Sequence, residues 1–219
     1  SMPGLRQKGG EKGENIMSEE KKEVITTGNK VPVFELETFD PVACKFGKFH
    51  LEDAVKAGKW TVLVFYPADF TFVCPTELAD LADKHAELEK LGAEVLSVST
   101  DTKFTHMGWQ AQERLLKDVK YRMASDSRGR LAQALGAYDY RSGLAYRGTF
   151  IINPDGVLAG AEVNLNNVGR NMEELTRKMK AFVHTFKNPA EVCPAKWKPG
   201  EKTLKPSEKL VGKVAEALK

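Results

Sequence analysis

From Trp60 to Tyr66 the chain reads WTVLVFY, an uncharged run of apolar, β-branched and aromatic residues. A run of that kind and length predicts a strand buried on both faces, and so one near the centre of its sheet. Downstream, Leu78, Leu81, Leu88 and Leu91 recur at helical spacing with Asp, Glu and Lys between them, and Gly92 follows as a stop. The pattern predicts a helix that starts near Cys74. Glu94 to Ser99 predicts a second strand, Phe104 to Val119 an amphipathic helix, and Tyr121 to Ala124 a short strand. Leu131 to Leu135 suggests a brief helix and Gly148 to Ile152 a strong strand. Asn153-Pro-Asp-Gly156 then reads as a turn into a hairpin partner at Val157 to Val163, and Glu173 to Phe186 as a closing helix.

Alternating strands and helices finished by a hairpin predict an α/β layered fold, a mixed central sheet flanked by helices. No internal repeat is visible. Residues 1–22 are rich in Gly, Lys and Glu with little to bury, which predicts a disordered leader; Ser1-Met2 has the look of a cloning scar and Met17 of a natural start. Residues 23–187 form the expected domain. Residues 188–219 form a C-terminal extension in which prolines at 189, 194, 199 and 206 interrupt regular structure, so Cys193 is expected on an irregular, mobile segment. Only Leu204 to Leu218 suggests a short helix there.

Charge and composition narrow the classes. The net charge of +3 comes from 33 basic and 30 acidic residues, and from Lys187 onward there are 8 Lys against 4 Glu. These lysines stand singly among Glu, Pro and Gly without interleaved aromatics, so they read as a solvated extension and not as a nucleic-acid surface. No run reaches the roughly 18 apolar residues of a membrane span, and the leader lacks the apolar segment of a secretory signal. A cytoplasmic protein with no membrane partner is expected. Three cysteines, Cys44, Cys74 and Cys193, suit intracellular thiol chemistry better than a disulfide scaffold. The histidines at 50, 85, 106 and 184 show no ligand spacing, and no metal is implied.

The candidate chemistry lies at Cys74. A free cysteine is ordinarily a small buried hydrophobe, but this one sits between a buried strand and the opening turn of a helix. The partial positive charge of a helix N-terminus favours an anion and so a thiolate. Pro75 fits a first turn, where no N–H is needed and its φ is already set. Thr71, three residues before Cys74, can turn its hydroxyl toward the same pocket. A C-x-x-C oxidoreductase is disfavoured because the fourth position is Glu77, so any partner thiol must come from elsewhere. Cys44, in a loop or edge-strand context, reads as a bystander.

The stretches FYPADFTFVCPTEL and EVCPAKW resemble the two active-site signatures of the typical two-cysteine peroxiredoxins, of the bacterial alkyl hydroperoxide reductase type. The likeness runs from about Val24 to Val214, with VSTDTKFTHMGW, RGTFIINPDG and GEKTLKPSEKLVGK in order. The resemblance implies a thioredoxin-like fold, with Cys74 as the peroxidatic cysteine and Cys193 as the resolving cysteine contributed across a dimer. It also implies pocket roles for Pro67, Thr71 and Arg147. By position alone Arg147 reads as a surface ion pair at a strand end, Pro67 as a strand terminator and Glu77 as a complement to the helix dipole. In the family Arg147 would bind thiolate and peroxide, Pro67 would shield the sulfur, and Glu77 would hold the pocket's arginines.

The same resemblance implies a peroxidase for hydrogen peroxide and small organic hydroperoxides that needs no bound cofactor. Its disulfide would be recycled by a thioredoxin-like protein or a flavoprotein reductase. A homodimer closing into a ring of five dimers is implied, with Thr105 to Trp109 at the contact between dimers. The chain has neither a Gly-Gly-Leu-Gly insertion nor a terminal Tyr-Phe pair, which predicts fast resolution and resistance to sulfinic acid formation. Two other classes stay open: a holdase chaperone, and a protein thiol–disulfide oxidoreductase revealed by insulin reduction without peroxide.

Overall fold

The computed structural model describes residues 23–218, so the expected leader, 1–22, lies outside the described residues. The chain opens with an antiparallel hairpin, β1 (Glu35–Asp40) and β2 (Lys45–His50), followed by α1 (Leu51–Lys56) and the central strand β3 (Trp60–Phe65). Then come α2 (Cys74–Lys90), β4 (Ala93–Ser99), α3 (Lys103–Gln112), β5 (Arg122–Ser125) and α4 (Arg130–Ala134). A small ribbon, β6 (Tyr138–Asp139) and β7 (Leu144–Ala145), leads into β8 (Arg147–Ile152), β9 (Leu158–Asn164) and α5 (Met172–Lys187), with α6 (Val214–Ala217) near the end.

The seven-stranded sheet runs β2-β1-β5-β4-β3-β8-β9. β3, β4 and β5 are parallel, while β8 pairs antiparallel with both β3 and β9. Every residue of β3 is buried, as its uncharged run predicts. Val62 and Val64 enter a core with Leu78, Leu81 and Leu88 of α2 and Met179 of α5. Leu63 and Phe65 enter the opposite core, with Leu51 of α1 and Leu131 of α4. Two buried faces explain why the strand shows no alternation. Burying each such side chain is worth about 1.5–3 kcal/mol as an upper bound.

Most predicted elements stand within a residue or two of their expected ends. The Asn153–Gly156 turn forms as read: Asn153 Oδ1 accepts from the N–H groups of Asp155 and Val157 at 3.0 and 2.9 Å, and Gly156 takes φ +77°. The helix expected to run to Val119 instead ends at Gln112. Glu113 leaves helical geometry and its carboxylate caps a new 3-10 turn, Arg114–Leu116, by accepting from Leu115 N–H at 3.1 Å. Seven further helical residues would have carried the chain about 10 Å onward and left too little of it to return to β5.

Around Cys193 the extension is as irregular as expected, and residues 188–204 fold back on α5, closed by antiparallel bonds between Val192 and Leu204 at 2.9 and 3.0 Å. Trp197 is buried, a burial that prolines in the sequence cannot reveal. Beyond it stand only a 3-10 turn, Glu208–Leu210, and the four-residue α6. No helix among the described residues is long and apolar enough to cross a membrane.

Candidate active site

β3 delivers the chain to a loop, Pro67 to Val73, that is pinned from several directions. Asp69, buried, accepts a hydrogen bond from Tyr66 Oη at 2.7 Å and pairs with His106 Nδ1 of α3 at 2.7 Å. Its backbone N–H donates to Asp101 Oδ2 at 2.8 Å. His106 Nε2 lies 3.1 Å from the Ala124 carbonyl, so that nitrogen donates. Phe70 is held in left-handed backbone at φ +55°, the shape the loop needs to reach the start of α2.

Cys74 is the first residue of α2 and is 1% exposed. Val73 caps the helix without a side-chain bond, and its carbonyl takes the N–H groups of Thr76 and Glu77 at 3.0 and 3.3 Å. With Pro75 offering no N–H, the helix contributes its positive end rather than a cradle of free donors.

The charge comes mainly from side chains. Arg147 Nη1, from the first residue of β8, stands 3.5 Å from Cys74 Sγ and donates to Glu77 Oε2 at 2.7 Å. Its other nitrogens, Nε and Nη2, donate to the Asn166 carbonyl at 2.9 and 2.7 Å. Glu77 is gripped from the other side by Arg170, through Nε and backbone N–H to Oε1 at 2.8 Å each and Nη2 to Oε2 at 3.0 Å. Arg170 Nη1 in turn donates to the Gly148 carbonyl at 2.8 Å. Burial alone pushes Glu77 up, but the Arg170 bonds and the charges of Arg170 and Arg147 outweigh it and hold the carboxyl below its ordinary range. Two guanidiniums against one carboxylate leave one unit of positive charge beside a buried sulfur. An anion on that sulfur completes the charge balance.

The structure thus brings Cys74, Arg147 and Glu77 together, so Arg147 is no surface ion pair. Pro67 is buried at the end of β3. Thr71 lies in the same loop, but its hydroxyl donates to the Ala68 carbonyl at 2.8 Å and not to the sulfur. Cys193 stands apart, partly exposed, its Sγ turned to the Ala181 carbonyl of α5 at 4.0 Å. Cys44 is exposed in the β1–β2 turn, and all three cysteines are free thiols. Sequence reasoning missed Arg170, Asp69 and His106. Arg170 directly precedes Asn171, the residue that caps α5, but no spacing ties it to Glu77, 93 residues away. Asp69 and His106, 37 residues apart, meet only because α3 packs over the end of β3.

Residues 27–161 match the AhpC/TSA family, and residues 181–217 match the family described as the C-terminal domain of 1-Cys peroxiredoxin. Alkyl hydroperoxide reductase C of Staphylococcus aureus is 46% identical over 181 residues, covering 83% of this chain and 95% of that protein. Among solved structures, the reduced 2-Cys peroxiredoxin of Plasmodium vivax superposes with a TM-score of 0.79 at 30% identity, over 84% of this chain and 94% of its own. AhpC of Enterococcus faecalis gives a TM-score of 0.72 at 38% identity, over 78% of this chain and 100% of its own. The fold is the thioredoxin-like one that the sequence resemblance implied, with a C-terminal extension.

Proposed function

The chain belongs to the AhpC/TSA family of peroxiredoxins and is a thiol-dependent peroxidase, and from that premise we propose that Cys74 is its attacking thiol. The observation that carries this is Arg147 Nη1 at 3.5 Å from Cys74 Sγ, locked there by Glu77 and Asn166. The thiolate attacks one oxygen of a hydroperoxide, ROOH, forming an S–O bond as the O–O bond breaks. The departing RO⁻ takes a proton and leaves as ROH, and Cys74 becomes a sulfenic acid. Negative charge moves from sulfur to oxygen during the step. A guanidinium already fixed beside the sulfur can stabilise both ends without changing its own protonation. Pro67 shields the sulfur from water, and Thr71 has acceptor capacity left to orient the peroxide.

Resolution follows when the Cys193 thiol of the partner subunit displaces water from the sulfenic sulfur, giving an intersubunit disulfide. An external dithiol, from a thioredoxin-like protein or a flavoprotein reductase, then returns both cysteines to thiols. Cys74 begins a helix and is 1% exposed, so its first turn must open before the two sulfurs meet. A dimer is the minimum assembly for this cycle. A ring of five dimers through Thr105 to Trp109 is checked by light scattering with and without reductant. Hydrogen peroxide and small organic hydroperoxides are the proposed substrates, and the cytoplasm, where thiols are kept reduced, is the proposed compartment.

Cys74→Ser abolishes peroxide consumption. Cys193→Ser completes one turnover, stalls at the sulfenic acid and loses the covalent dimer on non-reducing electrophoresis. A Cys74→Ser variant with full activity overturns the assignment. The match of residues 181–217 to a 1-Cys domain favours a second reading, in which a small external thiol reduces Cys74 directly. Under that reading Cys193→Ser turns over at the parental rate.

A further inference from the structure

A half-open cavity of about 650 Å³ lies on the side of the sheet away from Cys74. Its floor is apolar and is made by Val31, Leu36 and Leu131. These three belong to the core beneath α1 and α4, whereas Cys74 belongs to the core beneath α2 and α5. Val33, also in the lining, leaves 73% of its surface to solvent.

The charges around the cavity do not balance. Glu35 and Glu37 are each met by a lysine, Lys48 at 2.5 Å and Lys103 at 2.7 Å. Asp126 is buried and accepts the N–H of Ala132 on its Oδ2 at 2.8 Å. Burial, only partly offset by the N–H groups of Ala132, Leu131 and Arg130, pushes that carboxyl up. Arg128 and Arg130 line the same cavity, are exposed, and form no ion pair among the described residues. The acids of the wall are thus matched and the two arginines are not.

The arginines stand on a turn with little freedom. Between them, the Gly129 N–H donates to the Asp126 carbonyl at 2.7 Å, and Gly129 takes φ +63°. The Tyr138 ring fills the space that a β-carbon at Gly129 would need. A backbone fixed in advance lowers the cost of ordering two long side chains around one anion.

We propose that this cavity binds an amphiphilic organic anion, an unbranched aliphatic carboxylate whose chain covers Val31, Leu36 and Leu131 while its head group pairs with Arg128 and Arg130. The volume lies within the roughly 300–1,000 Å³ of small-ligand pockets, and an apolar floor with a few convergent polar groups is their usual make-up. A guanidinium meets a carboxylate through two parallel hydrogen bonds. Exposed ion pairs alone are worth little, so burial of the chain supplies most of the affinity and the arginines select the charged end.

The test is isothermal titration of the full-length protein with octanoate, with 1-octanol and acetate as controls for chain alone and charge alone. Octanoate saturates one site per chain, 1-octanol binds about tenfold more weakly, and acetate gives no saturable heat. Replacing both arginines, Arg128→Gln with Arg130→Gln, weakens octanoate about tenfold and leaves 1-octanol unchanged. Val33→Glu, on a different segment of the lining, weakens octanoate at least as much, so the site stays testable should one variant fold poorly. Oxidation of Cys74 by hydrogen peroxide keeps its parental rate in all of them, as befits a site on the other face of the sheet. Equal octanoate affinity in parent and double-arginine variant overturns the proposal, as does acetate binding as tightly as octanoate. Absence of saturable octanoate binding to the parent also overturns it, and a lower molar mass of Val33→Glu by light scattering would then assign this face to a second copy of the chain.

Discussion

Replacing Arg147 by Gln tests whether a fixed charge beside Cys74 drives the peroxide reaction. The guanidinium is 3% exposed and its Nη1 lies 3.5 Å from Cys74 Sγ. A unit charge at that distance in a protein-like dielectric interacts by about 5 kcal/mol. Glu77, 2.7 Å from the same nitrogen, cancels part of this, and Arg170 stays in place to supply some positive field. A net loss of about 2–3 kcal/mol in transition-state stabilisation remains, in the range found for deleting one oxyanion donor. That is about a hundredfold in the second-order rate constant for peroxide. Glu77 keeps its three bonds from Arg170, so the variant should fold, losing mainly the two bonds to the Asn166 carbonyl. The assay is competition against a haem peroxidase for limiting hydrogen peroxide, which reads the Cys74 step alone. Arg147→Lys retains charge but not the two-bond anchor to Asn166, and should fall between parent and Gln. A Gln variant within threefold of the parent would refute the reasoning, because the sulfur would then owe its reactivity to the helix end and Arg170 without Arg147.

Two further substitutions probe the groups that hold this pocket. Glu77→Gln leaves two nearly buried guanidiniums without a counter-charge and should cost about 3–5 kcal/mol, read as a fall in Tm. Because the Glu77 carboxyl is held below its ordinary value of 4.5, its contribution is present in full above that pH and disappears as pH falls through the lower folded value. The Tm gap between parent and variant should therefore be constant from pH 7 to about 5 and close in stronger acid; a gap that widens there contradicts the pairing. His106→Leu removes a partner from fully buried Asp69 and should cost about 3 kcal/mol in urea unfolding, with a coupling above roughly 1 kcal/mol in a double-mutant cycle with Asp69→Asn. Additive effects would show that the two side chains are not coupled.

The most legible parts of the fold were those whose environment is uniform along the chain. WTVLVFY announced β3 because both its faces are buried, and the leucines of α2 recorded one apolar stripe. The β1–β2 hairpin went unread because an edge leaves little pattern: β2 exposes Lys45, Phe46, Gly47 and Lys48 in succession. Six-residue α1 was too short to carry a period. At the site, Cys74 was identifiable as the thiol at a strand-to-helix junction, whereas the pairing of Arg147 and Arg170 around Glu77 joins segments 70 and 93 residues from it.

By itself the sequence determined where a thiol would meet the positive end of a helix, because capping, strand burial and helical spacing are local properties of consecutive residues. Only the tertiary structure decided how much charge reaches that thiol and where the second one waits. Two arginines converge on one glutamate because β8 and the start of α5 meet at the N-terminus of α2. Cys193 is docked rather than free because Glu191 and Trp197 find His184 on the helix beneath them. Electrostatics acts through space and not along the chain, so those distances had to be folded before they could be read.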